Sequence, residues 1–109
     1  GAINFTVSTP DGGFSLECRD DFRDYAWHHV AIIRDGTHAE MWIDGILRKN
    51  CEIAVTLSYN TQPIYLGYSP SPDPSQRRHW PGDIDEFRIY NRALSAKEVR
   101  MLAGVSPTD

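Results

Sequence analysis

The sequence has no surplus of positive charge: 11 lysines and arginines stand against 15 aspartates and glutamates, a formal net charge of −4. A protein that tracks a phosphate backbone needs clustered cations to displace counterions, so nucleic acid is excluded as the expected partner. Apolar runs stop after a few residues, which leaves no membrane span, and the first residues lack the charged and apolar regions of a signal peptide. Cysteine is scarce. Cys18 and Cys51 have no neighbouring His or Cys at zinc-site spacing, so they read as two buried thiols or as a single bridge. No serine or cysteine sits in a nucleophile elbow, and Gly12-Gly13 lacks the context of a phosphate loop.

What is present reads as one folded domain. At 109 residues the chain fits a single core, and 40% hydrophobic with 24% charged residues argues against disorder. Short strands follow one another. Ile3, Phe5 and Val7 alternate with polar residues, Pro10 to Gly13 suits a turn, and Phe14, Leu16 and Cys18 alternate again. Arg19 to Tyr25 is a charged connection of no clear period. A strand then begins after Trp27 and ends at Asp35-Gly36; Met41 and Ile43 face one way while Glu40, Trp42 and Asp44 face the other. Asp44-Gly45 is the strongest hairpin signal, because a type I′ turn needs positive φ at both positions. Ile46 to Lys49 returns, and two further strands are expected at Ile53 to Leu57 and Ile64 to Leu66. Trp27 and one of His28 and His29 are expected to pack inward. On a regular strand the two histidines point to opposite faces and cannot share a metal.

The stretch from Trp80 to Gly104 holds the most local instruction. Ile84, Phe87 and Ile89 predict a strand over Asp83 to Tyr90, but the odd step from Ile84 to Phe87 lets all three face inward only with a bulge near Asp85 and Glu86. Ser95 and Glu98 have the spacing of a capping box, and Leu94 and Val99 that of a hydrophobic staple. Val99, Leu102 and Ala103 share a face of the short helix that follows, and Gly104 can take the left-handed cap.

These residues also carry a resemblance. The run GDIDEFRIYNRALSAKEV resembles the C-terminal signature of laminin G-like and pentraxin-like domains, with WHHV at Trp27, MWIDG at Met41 and IYLG at Ile64 in the matching order. The resemblance implies an all-β fold, an antiparallel two-sheet jelly-roll sandwich of the concanavalin A type with one short C-terminal helix. It also implies a single domain over residues 1–109 that lacks N-terminal strands of the full family domain. Without them the Asp83 to Tyr90 strand is left with an open edge, and either further domains of a longer chain or a second copy fill it.

The chemistry read from the residues is that of binding. Asp83, Asp85 and Glu86 resemble the carboxylate cluster of concanavalin A-like glycosidases, whose retaining members need two carboxyls about 5 Å apart. Here Arg88 stands where the acid/base glutamate belongs, so no catalysis is expected. The segment Tyr68 to Trp80 is a loop punctuated by three prolines. Tyr68 and Trp80 offer faces on which a sugar can stack, while Gln76, Arg77, Arg78 and His79 supply hydrogen bonds to hydroxyls or carboxylates, and Asp73 joins them as a candidate ligand-binding residue. The pentraxin resemblance implies calcium in this loop, yet Asp73 is its one carboxylate, against the roughly six to eight oxygen ligands calcium takes. No cofactor is firmly expected, and calcium stays open. The expected function is a non-catalytic extracellular or cell-surface module that binds a glycan or a partner protein. The alternatives are an assembly domain joining subunits and an ancillary part of a glycosidase.

Overall fold

The computed structural model describes residues 2–9, 12–20, 22, 24–53, 68–69, 78–79, 83–90 and 92–105. They fall into two compact units, residues 1–58 with 90–109 and residues 59–89.

The first unit begins with a hairpin of β1 (Ala2–Thr9) and β2 (Gly12–Arg19), paired from Ala2 opposite Arg19 to Thr9 opposite Gly12. This register makes the expected turn narrower, since Gly12 and Gly13 already belong to the ladder. A three-stranded antiparallel sheet follows, β3 (Val30–Asp35), β4 (His38–Ile43) and β5 (Ile46–Glu52), with β4 in the centre. Asp44 and Gly45 join β4 to β5 with φ of 54° and 78°, the positive values that a type I′ turn requires. The β4–β5 register slips between Met41 and Trp42, because Met41 faces Lys49 while Trp42 faces Leu47. Arg48 is the extra residue of that bulge.

Period-two alternation decides what each face of the sheet buries. Ala39, Met41 and Ile43 lie on one face and form a core with Ile3, Leu16 and Cys18 of the hairpin and with Ile53. Cys51 packs against the same core, and both cysteines are free thiols. On the opposite face Ile33 and Trp42 meet Val99 of α1 (Ala96–Leu102), with Ala31, Ala93 and Leu94 around them. The unit is therefore layered, hairpin on sheet and sheet on helix. Each fully buried aliphatic side chain contributes about 1.5–3 kcal/mol through removal from water.

The helix is set by its ends. Ser95 Oγ accepts from the Glu98 amide at 3.2 Å, and Glu98 Oε1 accepts from the Ser95 amide at 3.1 Å, completing the capping box. Arg92 adds two bonds to the same carboxylate, which drops from its ordinary 4.5 to about 2, first through Arg92 and then through the Ser95 amide. At the other end Gly104, with φ of 81°, lets its own amide reach Met101 and the Val105 amide reach Arg100, a Schellman cap. Leu94 and Val99 share one cluster, as a staple demands. Leu102 is exposed, so the expected apolar stripe narrows to Val99 with Ala103.

The second unit holds a short antiparallel pair, β6 (Tyr68–Ser69) with β7 (Arg78–His79). The strand expected over Asp83 to Tyr90 does not form. Residues 83–90 belong to no ladder among the described residues, and Ile84, Phe87 and Ile89 are exposed where inward packing was expected. A strand is made by its neighbour's amides and carbonyls, and this segment has apolar residues without such a neighbour among the described residues. The bulge expected near Asp85 and Glu86 has no ladder to interrupt; Glu86 instead has φ of 54°, and its amide donates to Asp85 Oδ1 at 2.8 Å. The strands expected at residues 54–57 and 64–66 lie outside the described residues.

Candidate functional site

The densest polar constellation in the first unit surrounds the turn at Asp44. His28 lies between two carboxylates, with Nδ1 2.7 Å from Asp44 Oδ2 and Nε2 2.9 Å from Asp24 Oδ1. The other Asp44 oxygen accepts from the His29 amide at 2.9 Å, while the Asp44 amide donates to the His29 carbonyl at 2.8 Å. One aspartate, held at positive φ by the hairpin turn, thus clamps the segment that precedes β3. Phe22 meets the His28 ring edge-on at 5.5 Å, and Arg48 lies 5.9 Å over Phe22 while its Nη2 donates to Asp20 at 2.9 Å.

Two carboxylates hold the His28 pKa above its ordinary value, Asp44 first and Asp24 second. The Asp24 carboxyl is lowered by its hydrogen bond to His28 and then by the Ala26 amide. For Asp44, partial burial pushes upward, but the bonds from His28 and the His29 amide outweigh it and the net shift is down. A protonated His28 between two ionised aspartates is the state this geometry favours.

The loop clamped in this way carries aromatic rings outward. Tyr25 is 108% exposed and sits at φ of 60°, an unfavourable backbone for a residue with a bulky side chain. Trp27 is 69% exposed, which corrects the expectation that it packs inward. Its surroundings explain the correction, since the core face of the sheet is filled by the β1–β2 hairpin and the opposite face by α1. Tyr25 and Trp27 are thus two exposed aromatic residues within three positions of Asp24, whose carboxylate is bonded to His28 Nε2 through both oxygens and to the Ala26 amide. The local sequence signal for them was slight: aromatic residues in a charged, aperiodic connection, followed by a histidine.

A second polar row crosses the helix-facing side of the sheet. His38 Nδ1 is 2.8 Å from Glu52 Oε1 and its Nε2 is 3.1 Å from Glu40 Oε2, while Trp42 Nε1 donates to Glu40 Oε1 at 3.0 Å. These bonds raise the His38 pKa, Glu52 contributing more than Glu40. Alternation places His38, Glu40 and Trp42 on one face, and register brings Glu52 opposite His38. The row satisfies polar groups around a buried indole.

Of the residues expected to bind ligand, Tyr68 and Arg78 lie in the β6–β7 pair, Tyr68 opposite His79 and Arg78 opposite Ser69. Asp73, Gln76, Arg77 and Trp80 lie outside the described residues. Asp85 accepts from the Glu86 amide, and Glu86 faces Arg88 Nη2 at 3.2 Å. Among the described residues no group of three His, Cys, Asp or Glu is placed to hold a metal ion, and no helix is long and apolar enough to cross a membrane.

Antiparallel strands layered on either side of a filled core, with one docked helix, define a β-sandwich. The profile of the concanavalin A-like lectin/glucanases superfamily, laminin G type, matches residues 1–100, and the chain belongs to that family. The solved structure of an S-layer domain-containing protein from Clostridium thermocellum ATCC 27405, residues 221–444, is similar with a TM-score of 0.66 and 27% identity. The likeness covers 94% of this chain and 52% of that one, so this chain spans about half the length of that relative. No curated protein matches it.

Proposed function

We propose that this chain is a non-catalytic binding module of the cell surface or extracellular space, and that its ligand is a glycan. The observation that carries the reading is the exposure of two aromatic residues, Tyr25 and Trp27, in the segment that the His28 bridge between Asp24 and Asp44 ties to the β4–β5 turn. A pyranose stacks its C–H face on such rings, and an ionised carboxylate accepts from its hydroxyls at charge-assisted strength. Family membership supports the class, and fold alone does not fix the ligand. The loop with Tyr68, Asp73, Gln76, Arg77, Arg78 and Trp80 is proposed as a second ligand contact within the same domain.

A second reading, assembly with other chains or domains, is favoured by the likeness to an S-layer domain-containing protein. A glycan array run with and without chelator separates the two. Glycan capture that survives chelator supports the module proposed here. Capture lost with chelator points to calcium, and no capture at all leaves the assembly reading.

A further inference from the structure

Both ring nitrogens of His28 face carboxylates. Nδ1 lies 2.7 Å from Asp44 Oδ2, and Nε2 lies 2.9 and 3.0 Å from the two oxygens of Asp24. A neutral imidazole carries one N–H, whereas the imidazolium carries two. Only the protonated ring can therefore donate to both partners, and loss of the proton leaves a nitrogen lone pair facing an anion. The partners are not held equally. Asp44 is built into the hairpin turn, and its second oxygen accepts from the His29 amide at 2.9 Å. Asp24 belongs to the connection that precedes β3, and its further bond is local, from the Ala26 amide at 3.1 Å. Tyr25 lies between those two residues with φ of 60°, a backbone that is unfavourable for a residue with a β-carbon and persists only where surrounding bonds impose it.

We propose that the proton on His28 is a latch: while it is bound, Asp24 ties the segment through Trp27 to the β4–β5 turn, and when it leaves, the Asp24 bond opens and Tyr25 to Trp27 move freely. Nδ1 keeps the remaining hydrogen, because Asp44 is fixed at the turn while Asp24 can swing into water. The charges around the ring favour the closed state. Asp24 comes from its own segment and Asp44 from the turn. The Arg48 guanidinium of β5 and the His29 ring also act on Asp44, but Arg48 donates to Asp20, which brings a third carboxylate to the cluster. Phe22 contributes a ring edge 5.5 Å away. Asp44 and Asp24 accordingly hold the His28 pKa above its ordinary value, and both aspartates are themselves lowered. The sign follows from these directions. The latch is closed at the ordinary histidine value of 6.5 and below it while the aspartates stay ionised, and it opens as pH rises through the higher folded value. This device acts in the chain without ligand. Its effect on capture, tighter in acid and weaker in alkali, rests on the reading of Tyr25 and Trp27 as glycan contacts.

Methyl relaxation NMR of the 109-residue chain between about pH 5 and 9 tests the proposal without any ligand. The Ala26 methyl carbon is bonded directly to the backbone and its hydrogens do not exchange with water, so its order parameter is comparable across that range. It is expected to fall from about 0.85, typical of rigid backbone, to below about 0.6, with the same midpoint as the His28 ring resonances. Ala39, fully buried in β4, should stay constant and report an intact fold. His28→Gln carries no titrating proton and should leave Ala26 mobile at every pH. Asp24→Asn removes one of the two charges that hold the proton, so the His28 and Ala26 midpoints should move down together. An Ala26 order parameter that stays constant while His28 titrates overturns the latch. So does a fall that persists in His28→Gln, and so does an Ala26 midpoint that stays in place in Asp24→Asn. Should His28→Gln unfold, which Ala39 would show, the native titration and Asp24→Asn decide.

Discussion

Strand β4, HAEMWI, and the segment DIDEFRIY over residues 83–90 are similar in what they spell and opposite in what becomes of them. Both mix apolar side chains with carboxylates. In β4 four of six residues are buried, because strands flank it on both sides and the hairpin and the helix cover its two faces. All eight residues from 83 to 90 are exposed. Apolar patterning is therefore a request for burial, and neighbouring strands grant it.

The sharpest way to break this comparison is to truncate one residue from each region. Met41→Ala removes a fully buried side chain and should cost about 2–5 kcal/mol in urea melts, whereas Phe87→Ala in dilute protein should stay within about 0.5 kcal/mol. A Phe87 change as costly as the Met41 change would show that the segment is packed after all. Next in size is Trp27→Ala, expected to weaken glycan binding by about 1–3 kcal/mol while Tm hardly moves. A large fall in Tm with binding intact would return Trp27 to the core. Ser95→Ala should then cost about 1 kcal/mol by opening the capping box, with Leu94→Ala costing more because it also thins the second core cluster.

Smallest is the response to pH. The folded-state pKa values of His28 and His38 are raised, so their contribution is fully present below the unfolded value near 6.5 and is lost as pH rises through the folded values. Glu98 has the opposite sign. Its contribution is present above 4.5 and is lost as pH falls toward about 2. Melts between pH 5 and 9 should show a shallow decline on the alkaline side that His28→Gln and His38→Gln reduce. A rise in stability over that range would contradict the histidine geometry.

How much of this was legible in the sequence depends on how far each cause reaches along the chain. The capping box, the Asp44-Gly45 turn and the alternation of β1, β2 and β4 are set by residues a few positions apart, and they stand as read. Arg48's bulge gave no local sign, since it shows only in the pairing of β4 with β5. The segment over 83–90 was misread because its pattern says what it would bury and not whether a partner exists. In the candidate site, Asp24, His28 and Asp44 come together across 20 positions, and only the folded turn reveals that one aspartate grips both His28 and the amide after it. Exposure of Tyr25 and Trp27 was equally out of reach, because it depends on both faces of the sheet being already occupied.

Gly45 has a practical consequence for anyone who wishes to label this domain. A β-carbon there would come within 3.0 Å of Val105 Cγ2, so the chain leaving α1 runs directly over the turn whose other residue, Asp44, holds His28. A fluorophore attached at Val105 would ride beside the Asp44-Gly45 turn and report on changes there. The same attachment would also crowd that turn, so a tag meant to be silent belongs elsewhere, for instance on the outward side chain of Lys97.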